Sequence, residues 1–152
     1  MGTRMAGEKG EITDRLIAYH AERDRGGCAL NIVEVAAVHR PSSPAHFVWI
    51  CEDSLIEGHR RLTDAIHAEG GKAGIQLWQG GLAVSMDPKA QILLPSDMNL
   101  GQYTIPGITR EQIAEVVKCY GEAARRATLA GYDCIEFHLA HNYLPHSFLS
   151  GG

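Results

Sequence analysis

Three side chains able to handle charge on a small molecule crowd into one short stretch. His138, His141 and Tyr143 fall within six positions of CIEFHLAHNYLPHSFLS, residues 134–150. They follow a short apolar run, Cys134 to Phe137, that reads as a buried strand. Imidazoles and a phenol at the end of such a strand are costly unless they find partners. One of them alone reads as a satisfied core group; three together mark a candidate site. Glu136, His138, His141 and His146 also compose a set of potential metal ligands, and Glu136, His138 and His141 would suit a metal-dependent hydrolase. No Asp or Cys completes a familiar ligand pattern, however, and Tyr143 has no part in that chemistry, so no metal is assigned. A second candidate is Gln76, an amide between Ile75 and Leu77 in another apolar run. Its carbonyl and NH2 could be satisfied by backbone, or could read a heterocycle that carries both donors and acceptors. Trp78 and the Gly80-Gly81 pair follow it, and paired glycines allow either a turn or the close approach of a flat ligand.

These groups must be positioned by the rest of the chain. Thr13-Asp14 can cap a helix that runs to about Arg25 and stops at Gly26-Gly27. Cys28–Glu34 reads as a strand, and a helix runs from about Asp53 to Glu69 with Leu55, His59, Leu62 and Ile66 on one face. Lys72–Trp78 is the second strand. Thr109 and Gln112 fit a capping box opening a helix to about Ala130, with Ile113, Val116, Val117, Tyr120 and Ala124 facing inward. Cys134–His138 is the third strand. Alternating strands and helices argue for parallel β-α-β units. Helix-to-strand links are tight, whereas strand-to-helix links are long, roughly 18 residues after Glu34 and roughly 30 after Trp78, where about 2–6 is usual. In parallel α/β folds the strand C-termini carry function, so residues 34–35, 76–78 and 138–143 should face one side.

Composition narrows the function classes. A chain of 152 residues with 45% hydrophobic and 21% charged residues can bury a core as one domain. A net charge of −4 gives no basic surface for nucleic acid. No apolar run approaches a membrane span, and the N-terminal residues lack a signal-peptide core. Cys28, Cys51, Cys119 and Cys134 are scattered without a Cys-x-x-Cys pair, which fits reduced thiols in a cytoplasmic protein. No Gly-rich phosphate loop is present. The remaining histidines, His20, His39, His46, His59 and His67, read as surface or packing residues, and the Arg60-Arg61 and Arg125-Arg126 pairs as solvated helix faces.

The motifs together carry a family resemblance. IEFHLAHNYLPHSFLS resembles the signature of the Old Yellow Enzyme family of flavin-dependent NADH:flavin oxidoreductases and ene-reductases, nearest its enoate and 2,4-dienoyl-CoA reductase branch. GIQLWQGG resembles that family's strand ending in Gln-Leu before a Gly pair, TDRLIAYHAERDRGGCALNIVEVAAVH its first helix and following strand, and MGTRMA the end of its first strand. The resemblance implies a (β/α)8 TIM barrel with FMN at the strand C-termini and NADH or NADPH as reductant. It implies that Gln76 bonds the flavin pyrimidine, that Thr3 sits near a flavin carbonyl, and that the Val35 backbone touches the ring. His138 and His141 would hold a substrate carbonyl oxygen and Tyr143 would donate a proton while hydride from flavin N5 reduces an activated C=C bond. Imidazole N–H groups suit an oxygen that gains charge, and a phenol of pKa ~10 suits an enolate.

Asn142 stands where relatives commonly carry Gly, Leu139 where they carry a small residue, and Gln79 where many have His. A barrel of this type takes ~250 residues. Residues 1–152 are therefore read as the N-terminal part of a single FMN-binding barrel domain, with about four of eight strands if residues 1–3 are the tail of the first. On this reading the chain acts on a small molecule with an activated C=C bond. A half-barrel with open sheet edges also invites self-association as a homo-oligomer, and a non-catalytic role through such pairing is the other expectation.

Overall fold

The computed structural model describes residues 2–150. Its centre is a four-stranded parallel sheet in the order β2-β1-β3-β6, built from β1 (Leu30–Ala37), β2 (Val48–Trp49), β3 (Lys72–Trp78) and β6 (Cys134–Phe137). Three helices connect or precede these strands: α1 (Asp14–Arg25), α2 (Ile56–Ala68) and α3 (Arg110–Leu129). A short hairpin, β4 (Met98–Asn99) with β5 (Thr104–Ile105), lies in the long link after β3, and α4 (Leu144–Leu149) follows β6.

The helices form where the sequence supplies their ends. The Thr13 hydroxyl accepts from Leu16 N at 3.2 Å and opens α1. Thr109 and Gln112 make the full reciprocal capping box of α3, at 2.9 and 3.2 Å. Gly27, Gly70 and Gly131 leave α1, α2 and α3 with φ of 96°, 89° and 91°, a conformation that costs little without a Cβ.

One face of the sheet is covered. Val33, Ala36, Ile75 and Leu77 pack against Leu16 of α1, Leu62 and Ile66 of α2, and Ala123 and Ala127 of α3. Each large aliphatic side chain here contributes about 1.5–3 kcal/mol, and truncating Leu62 to Ala should cost about 2–5 kcal/mol. The opposite face is bare toward the N-terminal ends of the strands, where Leu30 and Ile32 are 48% and 41% exposed, and filled toward their C-terminal ends by Val35, Ala37, Trp49, Trp78 and Val84. It has room for little side-chain bulk, since a Cβ on Gly74 would meet Cys134 Sγ at 2.8 Å and Ile32 Cγ1 at 3.1 Å. A parallel sheet lined by helices on one side only, with a partly bare inner face and a free edge at β6, is a sector of a (β/α)8 barrel.

Several sequence expectations need correction. Residues 2–3 form no strand, and Met1 lies outside the described residues; the fourth strand is instead Val48–Trp49, whose two residues give too little periodicity to read. β1 starts two residues later than expected and continues through Val35 to Ala37. β6 is not buried, because it is an edge strand: Phe137 is 51% exposed. Val117 is 66% exposed although its spacing placed it inward; Val116, Ala123 and Ala127 are the buried residues of α3. Of the histidines read as surface or packing residues, His20, His39 and His59 are packing residues, each buried. Arg126 is largely covered, and it joins Arg125 on Asp53 at 2.6 Å, tying α3 to the segment before α2.

Candidate functional site

The expected site residues fall into two neighbouring groups at the C-terminal end of the sheet. The first is a row across the strands. The β1–β3 register slips at Glu34, so that Val33 pairs with Ile75 and Val35 pairs with Gln76. Gln76 in turn is the register partner of Glu136, and its Nε2 donates to Glu136 Oε1 at 2.9 Å. At the other end of the row, the backbone N–H of Thr3 donates to Glu34 Oε2 at 2.9 Å, and the Thr3 hydroxyl accepts from Met5 N. Val35 and Gln76 are thus register partners, and Thr3, far from both in the chain, is tied to the neighbouring Glu34. The sequence reading placed Glu34 on this side but gave its carboxylate no role, although a carboxylate closing the apolar run CALNIVE was the available signal. It is 4% exposed, and its Oε1 has no partner among the described residues.

The second group is the aromatic and imidazole cluster. His138 directly follows β6, and its N–H donates to Leu77 O at 3.0 Å. Leu144 N–H donates to Gln79 O at 3.2 Å, so β3 and the residue that follows it hold the loop between β6 and α4 at both ends. Within that loop the ring centres of His138 and His141 are 5.0 Å apart, those of His138 and Tyr143 4.6 Å, and those of His141 and Tyr143 5.9 Å. Trp78 backs the cluster, edge-on to Tyr143 at 5.3 Å and stacked on Phe47 at 5.5 Å. Phe47 was not singled out from sequence, because it sits in an irregular link with no periodic signal.

The hydrogen bonds fix the imidazole states. The N–H of Ala140 can only donate, and it lies 3.3 Å from His138 Nδ1. The proton of neutral His138 therefore resides on Nε2, which faces His141 Nδ1 at 3.3 Å. Burial, and then the neighbouring His141, push the His138 pKa below its ordinary value. His138 is thus held neutral and donating near neutral pH. His141 and Asn142 both take φ of 57°, so the turn needs two consecutive residues in the left-handed region. Asn142 meets that demand in place of Gly, as Asn tolerates this conformation.

Among the described residues no three His, Cys, Asp or Glu side chains converge as a metal set. Glu136 is drawn toward Gln76 instead of toward the histidines. No helix among the described residues is long and apolar enough to cross a membrane. The fit to a flavin can be read from Gln76. Its NH2 is taken by Glu136, whereas its Oε1 has no hydrogen bond among the described residues and is free to meet an N–H on a flat heterocycle.

Comparisons with known proteins bear on the family and the fold. The model of the NADH:flavin oxidoreductase / NADH oxidase family matches residues 1–152. The chain is 38% identical over 149 residues to a 4,4'-dithiodibutanoate disulfide reductase of Rhodococcus erythropolis, covering 93% of this chain and 36% of that protein. It is 37% identical over 144 residues to an NADPH dehydrogenase of Listeria monocytogenes, covering 93% of this chain and 42% of that one. The Old Yellow Enzyme from Pichia sp. superposes with a TM-score of 0.88 at 23% identity, over 99% of this chain and 43% of that structure. Morphinone reductase in complex with tetrahydroNAD gives 0.84 at 24% identity, over 100% and 47%. The chain thus spans less than half the length of these relatives and has the fold of that part of their barrel. It belongs to the NADH:flavin oxidoreductase / NADH oxidase family.

Proposed function

We propose that the protein carrying this chain is an FMN-dependent oxidoreductase that uses NADH or NADPH to reduce an activated C=C bond in an enone, enoate or enoyl-CoA. The observation that carries this reading is the junction of the two groups: the Thr3–Val35–Gln76 row and the His138–His141–Tyr143 cluster sit side by side at one end of one sheet. Family membership and the names of the relatives, an NADPH dehydrogenase among them, support the cofactor pair.

Thr3, the Val35 backbone and Gln76 would hold the flavin ring. FMN, when bound, supplies the hydride chemistry, accepting from NAD(P)H and delivering to the β-carbon. His138 and His141 bind the substrate carbonyl oxygen. In this role Nε2–H of His138 turns from His141 Nδ1 to the oxygen, and the Nε2–H of His141 becomes the second donor. Both donors serve best where charge grows on that oxygen. Tyr143 gives its phenolic proton to the α-carbon and recovers one from water. The sum is one hydride and one proton added across the double bond, with NAD(P)H oxidised.

Purified protein carrying this chain should be yellow, bleach anaerobically with NAD(P)H, and regain its flavin absorbance on addition of 2-cyclohexenone with formation of cyclohexanone. The disulfide named for the Rhodococcus relative is the control substrate. Bleached protein that is reoxidised by the disulfide and not by the enone would overturn the assignment of substrate class, and protein that binds no flavin would overturn the whole reading.

A further inference from the structure

We infer that His146 and Ser147 are positioning residues that clasp Asn142 and thereby aim His141 and Tyr143; the inference rests on the site assignment above. Asn142 sits between the two site residues. His141 and Asn142 both have φ of 57°, a conformation that non-Gly residues leave unless other contacts hold them. The holding contacts come from α4. The Asn142 backbone N–H donates to His146 Nδ1 at 3.2 Å. The Ser147 hydroxyl lies 3.0 Å from Asn142 O and 3.1 Å from Tyr143 O. Both main-chain polar groups of the left-handed residue are thus taken by side chains of one short helix.

His146 Nδ1 also lies 3.1 Å from Asn142 Oδ1. A ring with its lone pair on Nδ1 accepts the backbone N–H, and a ring protonated there donates to Oδ1 instead. In both states one nitrogen ties Asn142 to α4. The helix itself is anchored away from the cluster, by Leu144 buried at 3% exposure and its N–H on Gln79 O. The clasp therefore transmits a fixed reference from β3 and α4 to the two site side chains.

This arrangement also explains how the chain carries Asn at 142. A Gly would gain freedom in the left-handed region and also in every other, whereas Asn with two clasping partners is confined to one. His146 and Ser147 touch neither of the site rings in hydrogen bonds, so their role is orientation and not chemistry.

The test compares the FMN-loaded protein with His146→Ala, which removes the acceptor, and His146→Asn, which returns an acceptor oxygen near the place of Nδ1. Two readouts are used: hydrogen exchange at the Asn142 amide, followed by NMR, and affinity for a phenolate ligand titrated against the flavin spectrum. His146→Ala should speed exchange at Asn142 at least tenfold and weaken phenolate about five- to tenfold, as expected for a turn that loses one ordering hydrogen bond. His146→Asn should restore both. Unchanged exchange in His146→Ala, or equal phenolate loss in the Ala and Asn variants, would overturn the clasp. His138→Ala run in parallel reports on the site assignment alone: wild-type phenolate affinity there would sink that assignment, while the exchange data still judge the clasp.

Discussion

Mild acidification should weaken this protein, with buried His59 the group whose contribution the structure resolves most clearly. His59 lies on α2 at 0% exposure. Its Nε2 is 2.8 Å from Trp49 O and its Nδ1 is 2.8 Å from the Tyr132 hydroxyl. The carbonyl can only accept, so Nε2 carries the proton and Nδ1 accepts from Tyr132. A second proton on Nδ1 would remove that acceptor and bury a charge. Desolvation accordingly lowers the His59 pKa from 6.5 to about 4, partly opposed by the bond to Trp49. A folded-state pKa below the unfolded one means that the unfolded chain binds more protons as pH falls between these values. Stability therefore falls with pH in that window and levels off below about 4. Between pH 7 and pH 5 the linkage amounts to about 2 kcal/mol, with a limit near 3 kcal/mol set by 2.5 pKa units at about 1.36 kcal/mol each. Urea unfolding at the two pH values measures the difference. His20 and His39 shift in the same direction by burial, so the contribution of His59 is isolated by comparison with His59→Gln. That variant should lose stability at pH 7 and should show a pH 7-to-5 difference smaller by about 2 kcal/mol. A wild-type protein as stable at pH 5 as at pH 7, or a variant with the same pH slope, would show that His59 does not carry this pH dependence.

Two further outcomes follow from the site geometry. His138→Ala and His141→Ala should each weaken a bound phenolate by roughly tenfold or more, because an anionic oxygen loses a donor, as read by titration of the flavin spectrum. Gly80→Ala should cost about 1–3 kcal/mol in urea unfolding, since its Cβ would sit 2.2 Å from Trp78 Cζ2 and 2.8 Å from Val84 Cγ1. Because Trp78 backs Tyr143, the same change should slow enone reduction more than it slows flavin reduction.

Much of this architecture is legible in the sequence because its signals are local. The Thr13 and Thr109 caps, the glycines that end three helices, and the apolar stripe of α2 all depend on residues within a few positions of one another. The clustering of His138, His141 and Tyr143 is likewise local. What escaped was set by distant neighbours. Val117 fits the helical spacing of an inward residue, yet α3 turns that side toward the free β6 edge. Val48–Trp49 is a strand only because β1 extends to Ala37 beside it. The burial of Glu34 depends on Thr3, thirty-one positions away, and on a register slip between two strands. The link of Gln76 to Glu136 likewise needs the parallel pairing of β3 with β6, which sequence order alone does not specify.

In the proposed reaction Tyr143 supplies the proton while the imidazoles hold the oxygen. The most direct measurement of that role is stopped-flow kinetics of the two half-reactions in the FMN-loaded protein and in Tyr143→Phe, which preserves the ring against Trp78 and His138. Flavin reduction by NAD(P)H should stay within about twofold of wild type, while reoxidation by 2-cyclohexenone should slow by ~10²–10⁴, the range for losing a general acid. Equal slowing of both half-reactions, or none in the second, would show that Tyr143 is not the proton donor.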